Sequence, residues 1–100
     1  MTEPPGGDAG EAVSRVLHIV NSRGLHARAS ARFVQTVEKF DAQVTVTRNT
    51  ETVGGDSIMG LMMLSAGPGT SILVRATRAQ AAEAIEALDV LVSSRFGEMD

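Results

Sequence analysis

The chain has 100 residues, of which 43% are hydrophobic and only 3% aromatic, and this composition predicts one folded domain with an aliphatic core. It contains no cysteine, which excludes disulfides, thiolate metal sites and cysteine nucleophiles and favours a reducing compartment. The net charge of −3 resides in residues 1–12, where Glu3, Asp8 and Glu11 have no basic counterpart.

Residues 1–12 combine two prolines, three glycines and no apolar periodicity. We predict a flexible tail here, followed by a single domain over residues 13–100. The tail has neither the basic nor the apolar part of a secretory signal, and no stretch of the chain approaches the roughly 20 apolar residues of a membrane span. We therefore expect a cytoplasmic protein that does not contact membranes.

The first predicted strand is VSRVLHIV, residues 13–20, in which Leu17 and Ile19 share one face and His18 lies on the wet face. After NSRG the apolar spacing becomes helical from Ala27, and this helix is expected to bury Phe33, Val34, Val37 and Phe40.

Three further segments alternate as strands. Residues 43–48 and 71–77 show the strict alternation of strands with one wet face, and residues 51–53 predict a short edge strand. With the helices described next, the order β-α-β-β-α-β-α predicts an α+β two-layer open-faced sandwich. Its four-stranded antiparallel sheet carries three helices on one face.

Two helices are predicted in the second half of the chain. The apolar run SIMGLMML, residues 57–64, is ambiguous by periodicity, and Ser57 as an N-cap favours a helix. A last helix is predicted to open with a capping box made by Thr77 and Gln80. Its apolar stripe contains Ala81, Ala84, Ile85, Leu88, Leu91 and Val92.

The stretch RGLHARAS places His26 between a glycine and a predicted helix start. Gly24 permits a tight turn, and a helix that begins near Ala27 leaves its first backbone N–H groups unpaired beside His26. Arg28 lies in the first turn, where a cation opposes the helix dipole unless an anion binds there. This positive surrounding favours neutral imidazole, which is nucleophilic. We predict that His26 transiently carries a phosphoryl group.

Other interpretations of His26 stay open at this point. The histidine alone is explained as well by a helix N-cap or a surface loop position. A metal site is a poorer explanation, because His18 and His26 have no cysteine or nearby carboxylate to complete a ligand set. We expect neither a metal nor a cofactor.

Residues 24–28, Gly-Leu-His-Ala-Arg, resemble the phosphohistidine motif of the HPr family, the phosphocarriers of the bacterial phosphoenolpyruvate-dependent phosphotransferase system. Thirty-one residues beyond the histidine, the stretch SIMG that begins at Ser57 is similar to the regulatory serine segment of that family. The resemblance covers roughly residues 14–93, including the order of elements. Ala29 departs from it, because the family usually has proline there. The run GLHAR and the ending SSRFGEMD are somewhat closer to the nitrogen-related branch, NPr.

The resemblance implies a stoichiometric phosphoryl carrier rather than a turnover enzyme. Enzyme I, itself phosphorylated by phosphoenolpyruvate, would donate the phosphoryl group to Nδ1 of His26, and an enzyme IIA domain would accept it. Arg28 matches the phosphate-contacting arginine of the family, and backbone N–H groups from Ala27 onward would complete the cradle. We expect the carrier to be a monomer.

Ser57 and the helix behind it have both a structural and a functional interpretation. As an N-cap, Ser57 would accept a backbone N–H. The resemblance adds regulatory phosphorylation by an HPr kinase/phosphorylase, although Asp56, where the family often has lysine, would repel a phosphate. If Leu61 and Leu64 face the core, the apolar side chains left over form a docking patch, unless some of them pack inward. These side chains are Ile58, Met59 and Met62.

Two other functions compete with the carrier. Nucleic-acid binding is suggested by four arginines within residues 13–37, which are Arg15, Arg23, Arg28 and Arg32. The charge balance of residues 13–100 and the lack of Trp and Tyr argue against it. The other competitor is a regulatory adaptor that acts through Ser57 while His26 is silent.

Overall fold

The computed structural model describes residues 12–98, so the predicted tail, apart from residue 12, lies outside the described residues. The order β-α-β-β-α-β-α is confirmed. The strands are β1 (Val13–His18), β2 (Gln43–Arg48), β3 (Glu51–Gly54) and β4 (Ser71–Thr77). The helices are α1 (Ala27–Val37), α2 (Ile58–Met63) and α3 (Ala81–Ser93), and a 3₁₀ turn, Arg95–Gly97, follows them.

The four strands form one antiparallel sheet in the order β1-β4-β2-β3. The inner face is apolar, since Leu17 lies opposite Ile72 and Val46 opposite Val74, all buried. The outer face has no covering layer in the described chain, and its opposed pair Val16 and Leu73 is 52% and 40% exposed. The sheet therefore has the one-sided burial expected of an open-faced sandwich.

The core lies between the inner face of the sheet and the helices. Phe33 of α1, Ile85 and Leu88 of α3, and Phe96 of the 3₁₀ turn are fully buried. Burial of each such side chain contributes about 1.5–3 kcal/mol relative to its exposure to water. The helix stripes predicted from periodicity are therefore the stripes that hold the two layers together.

The first strand and the first helix end earlier than the periodicity predicts. β1 ends at His18, and Ile19 exchanges backbone hydrogen bonds with Gly69 and Thr70 in the loop before β4. α1 ends at Val37, so Phe40 lies beyond the helix, although it still packs against the core. In both cases an apolar side chain, buried for Ile19 and partly buried for Phe40, continues the apolar pattern beyond the end of the regular element.

The predicted capping box of Thr77 and Gln80 is wrong. Thr77 is the last residue of β4 and pairs with Gln43 in the sheet, so its backbone belongs to the strand. Gln80 itself occupies the N-cap position of α3 without a side-chain cap. Its side-chain oxygen instead accepts a hydrogen bond from the backbone N–H of Asp41, at 2.7 Å, which ties α3 to the loop before β2.

Candidate functional site

The loop between β1 and α1 holds His26 in a fixed position. Gly24 has a φ of +64°, and a Cβ there would lie 2.3 Å from the carbonyl oxygen of Ala66, so only glycine fits. Leu25 is buried, and its N–H donates to that same carbonyl at 2.9 Å. The loop is thus held against Ala66, and the next residue, His26, lies at the start of α1.

His26 occupies the N-cap position of α1. Its carbonyl oxygen accepts the first helical hydrogen bond, from the N–H of Ser30 at 2.8 Å, and its side chain makes no capping bond. The N-cap interpretation is therefore right for the backbone, while the imidazole is available for another role. The N–H groups of Ala27, Arg28 and Ala29 have no intrahelical partner at this end, which leaves donors for an anion.

The imidazole of His26 contacts a carboxylate that was not predicted from the sequence. Its Nε2 pairs with Oε2 of Glu98, and the two side chains are only 16% and 12% exposed. The other carboxylate oxygen of Glu98 accepts a hydrogen bond from Nδ2 of Asn21 at 3.1 Å. Asn21 is fully buried and also donates to the carbonyl of Gly24 at 2.9 Å. Asn21 therefore links the turn before His26 to the carboxylate beside it.

Glu98 is held in its charged form. Burial by itself would raise the pKa of this carboxyl group, but the hydrogen bonds from His26 and Asn21, with the charges of His26 and Arg23, outweigh it. The net effect is a pKa below the ordinary glutamate value. The sequence carries one signal for this contact. In the polar ending SSRFGE, Phe96 is a single large apolar residue, two positions before Glu98.

An open pocket of about 240 Å³ lies beside His26. Its lining residues are Arg23, Leu25, His26, Ser65, Ala66 and Gly67. Arg23 thus reaches the pocket, whereas Arg28 is exposed on the first turn of α1 and does not line it. Among residues 12–98, Arg28 has no hydrogen-bond or ion-pair partner for its side chain.

The remaining two arginines of the basic stretch are engaged elsewhere. Arg15 binds Glu86 and Asp89 of α3, each at 2.8 Å, and these hydrogen bonds raise its pKa above the ordinary arginine value. Arg32 donates to the carbonyl oxygen of Phe96. The four arginines therefore do not form one free basic surface, which weakens the nucleic-acid interpretation.

Ser57 and α2 have the arrangement that the N-cap interpretation predicts. Oγ of Ser57 accepts a hydrogen bond from the N–H of Gly60 at 2.9 Å, and Leu61 and Leu64 are buried. α2 packs beside α1, the helix that carries His26. Four apolar side chains of α2 are left exposed, and one of them, Met63, was not assigned in the sequence analysis. The exposed fractions are 40% for Ile58, 72% for Met59, 43% for Met62 and 64% for Met63.

The second histidine is remote from this chemistry. His18 lies on the outer face of the sheet, where its Nδ1 is 2.9 Å from Oγ of Ser71 on the neighbouring strand. Between residues 12 and 98, no three His, Asp or Glu side chains gather in a way that could hold a metal ion. In the same part of the chain no helix is long and apolar enough to cross a bilayer.

Comparison with known proteins gives a family match over most of the chain. A family model described as "PTS HPr component phosphorylation site" matches residues 13–94. The phosphocarrier protein HPr of Neisseria meningitidis is 50% identical over 82 residues, which cover 82% of this chain and 92% of that protein. The phosphocarrier protein NPr of Shewanella violacea is 33% identical, over 86% of this chain and 94% of that protein.

A solved structure of HPr from Thermoanaerobacter tengcongensis superposes with a TM-score of 0.83 at 40% identity, covering 88% of this chain and 99% of that one. The HPr of the same organism is also known as a dimer, with a TM-score of 0.69 at 43% identity over 82% of this chain and 94% of that one. Both structures have the fold described above.

Proposed function

The chain belongs to the HPr family of phosphocarriers of the bacterial phosphotransferase system, and from this membership we propose that His26 accepts a phosphoryl group from phosphorylated enzyme I and passes it to an enzyme IIA domain. The observation that carries the proposal is the position of His26 at the N-terminus of α1, beside an open pocket and unpaired helical N–H groups.

The accepting atom in this proposal is Nδ1 of His26. Its lone pair forms the bond to phosphorus, the bond from phosphorus to the donor breaks, and the electron pair of that bond stays with the donor. Transfer to enzyme IIA repeats the exchange with His26 as the leaving group. Pairing of Nε2 with Glu98 supports this assignment, because it leaves Nδ1 as the ring nitrogen without a protein partner among the described residues.

Arg28 and the backbone N–H groups from Ala27 onward stabilise the bound phosphoryl group in this proposal. The exposed guanidinium of Arg28 lies in the first turn of α1, two residues after His26. A charged donor and aligned N–H dipoles are the means by which proteins stabilise transferring phosphoryl groups. Arg23, which lines the pocket, adds positive charge there.

The exposed apolar side chains of α2 are proposed as the surface that enzyme I and enzyme IIA contact. Ile58, Met59 and Met62 form the predicted patch, and Met63 extends it. Flexible methionine side chains suit a surface that binds more than one partner in turn. Ser57, at the start of α2, is the proposed regulatory phosphorylation site for an HPr kinase/phosphorylase, with the phosphate at the end of the helix and Asp56 opposing it.

The protein is proposed to work as a monomeric carrier in the cytoplasm, without cofactor, nucleic acid or membrane. It is phosphorylated and dephosphorylated once in each cycle, so it is a relay protein rather than a turnover catalyst. Whether it serves the sugar-transporting or the nitrogen-related branch is decided by offering the phosphorylated protein to the enzyme IIA domain of each branch.

The proposal is tested by incubating the protein with phosphoenolpyruvate and its cognate enzyme I and measuring the intact mass. We expect one acid-labile phosphoryl adduct on the wild type and on His18→Ala, and none on His26→Ala. His18 is the matched control because it is the other histidine and lies on the outer sheet face. Absence of an adduct on the wild type would reject the carrier function and leave the adaptor that acts through Ser57 as the surviving candidate.

A further inference from the structure

The carboxylate of Glu98 uses both of its oxygens to hold the site. Oε2 pairs with Nε2 of His26, and Oε1 accepts a hydrogen bond from Nδ2 of Asn21. Asn21 is fully buried, and both groups its Nδ2 contacts, the carbonyl of Gly24 and the carboxylate, are acceptors. The amide of Asn21 therefore has only one orientation that satisfies them, and that orientation fixes Glu98 relative to the loop before His26.

This pairing decides which ring nitrogen of His26 carries the proton. A charged carboxylate only accepts hydrogen bonds, so Nε2 must be the donor. In the neutral imidazole, a proton on Nε2 leaves Nδ1 with its lone pair. Glu98 thereby selects the tautomer in which Nδ1 is the nucleophile.

The backbone before Glu98 adopts conformations that need support from the rest of the domain. Arg95, Phe96 and Gly97 have successive φ values of 62°, 56° and 74°, and the first two are not glycine. Each non-glycine residue in this region costs about 1–2 kcal/mol. The turn is held by the fully buried ring of Phe96 and by the hydrogen bond from Arg32 to the carbonyl of Phe96. Such over-determined turns are found at functional sites, and this one aims Glu98 at His26.

We propose that Glu98, fixed by Asn21, is a positioning residue for phosphoryl transfer, in that it keeps the proton of His26 on Nε2 and offsets the positive charge that the ring gains. This inference rests on the proposed carrier function. When Nδ1 bonds to phosphorus, Nε2 keeps its proton, so the ring becomes a phosphorylated imidazolium beside the carboxylate. No proton leaves the ring on phosphorylation or returns to it on transfer, and the charge of Glu98 favours the loaded state.

The test compares wild type with Glu98→Ala, Glu98→Gln and a control, Glu83→Ala, in three measurements. Glu83 is exposed on α3, so its loss removes the same charge away from the site. Imidazole ¹⁵N spectra of the unphosphorylated proteins report the tautomer of His26. Single-turnover kinetics report the rate of phosphoryl acceptance at saturating phosphorylated enzyme I, and binding of enzyme I reports docking. Denaturant unfolding of each variant confirms that it is folded.

We expect the wild type and Glu83→Ala to show the Nε2–H tautomer and equal rates. In Glu98→Ala both tautomers become populated, and acceptance slows by about 10- to 100-fold, the range found when a group that orients a metal-binding histidine is removed. Binding of enzyme I should not change. In Glu98→Gln the amide NH₂ replaces one oxygen and must face either Nδ2 of Asn21 or Nε2 of His26, so its rate should lie between those of wild type and Glu98→Ala.

Two results would overturn the positioning role. One is a rate in Glu98→Ala equal to that of wild type, and the other is a slower rate with an unchanged tautomer. If Glu98→Ala does not fold, Glu98→Gln replaces it under the same criteria. Failure of the carrier function is recognised separately, because the wild type itself then takes up no phosphoryl group, while the tautomer spectra still test whether Glu98 selects Nε2–H.

Discussion

Arg32 in α1 donates a hydrogen bond to the carbonyl oxygen of Phe96, 64 residues later in the chain, and so ties the helix that begins at His26 to the turn that precedes Glu98. The same helix therefore positions His26 at its start and, about one and a half turns later, Arg32, which supports the turn before Glu98. Disturbing this one bond should affect the site without direct contact with it.

Arg32→Ala is expected to lower the free energy of unfolding by about 1–2 kcal/mol, because the carbonyl of Phe96 loses a charged donor. It should also weaken the contact of Glu98 with His26, which the imidazole ¹⁵N spectrum detects as a second tautomer. Gln35→Ala, an exposed change on the same helix, is the control and should leave both measurements unchanged. A destabilised Arg32→Ala protein with a wild-type tautomer would show that the turn is held by Phe96 alone.

Gly24→Ala should destabilise the protein by about 2 kcal/mol or more. The alanine would have to adopt a positive φ, and its methyl group would overlap the carbonyl of Ala66. The loop must shift to relieve the overlap, so phosphoryl acceptance by His26 should slow as well. Gly67→Ala is the matched control, since a Cβ there meets no atom within 4 Å. Thermal unfolding of the two variants checks this, and equal losses in both would contradict the steric argument.

Ser57→Ala should cost about 1 kcal/mol of stability, because the N–H of Gly60 loses its cap. Ser57→Asp keeps an acceptor at the N-cap and should recover most of that stability while adding a negative charge beside the exposed methionines. If the proposed regulation is right, only Ser57→Asp slows phosphoryl transfer from enzyme I. Equal slowing in both variants would assign the effect to loss of the cap.

The lowered pKa of Glu98 makes its contribution to stability depend on pH. The folded protein keeps this carboxylate charged to lower pH than the unfolded chain does, so the unfolded state binds more protons in that range. The contribution is fully present above the unfolded-state pKa of about 4.3 and is lost as pH falls through the lower folded-state value. The groups that lower the pKa of Glu98 are His26, Asn21 and Arg23.

The stability difference between wild type and Glu98→Gln should therefore shrink as the pH is lowered from about 6 to about 3, measured by denaturant unfolding. Glu83→Gln, at an exposed glutamate on α3, serves as the reference for loss of one carboxylate away from the site. A difference for Glu98→Gln that is constant across this range would mean that charge on Glu98 does not stabilise the folded state.

Met59→Ser combined with Met62→Ser should weaken the binding of enzyme I by about tenfold or more, since truncating apolar side chains at the centre of an interface has effects of this size. Folding stability should change less than binding, because Met59 is 72% exposed and Met62 43% exposed. Val90→Ser is the control, an apolar side chain that is 64% exposed on α3. Calorimetric titration with enzyme I provides the measurement, and an unchanged Kd would exclude α2 as the docking surface.

The fold was predictable because local pattern and tertiary structure agree along most of the chain. Alternation in residues 43–48 and 71–77 and the helical stripe through Phe33 and Val37 each report a buried face directly. Ser57 was predicted as a cap because N-capping depends only on the residues that follow it. The prediction of a capping box at Thr77 was wrong because the backbone of that residue pairs with Gln43 in the sheet, a long-range contact that the local pattern does not show.

The candidate site was predictable only in its local half. His26, Gly24 and Arg28 lie within five residues of one another, so motif and helix geometry suffice to relate them. Glu98 reaches the same site through a left-handed turn whose first two residues, Arg95 and Phe96, have no local preference for that conformation. The turn is stabilised by the burial of Phe96 in the assembled core and by the hydrogen bond from Arg32, and an isolated apolar residue in a polar ending does not reveal which residue the following carboxylate will contact.

The separation of 72 residues between His26 and Glu98 has a consequence for the order of events during synthesis. The histidine leaves the ribosome before the carboxylate that is proposed to select its tautomer, and the pairing requires residue 98 to be placed by the turn through buried Phe96. A nascent or partly unfolded chain therefore exposes the histidine in mixed tautomers and without a counter-charge. On the proposed role of Glu98, the ring therefore gains its full reactivity only in the folded chain, and phosphoryl acceptance is fastest there.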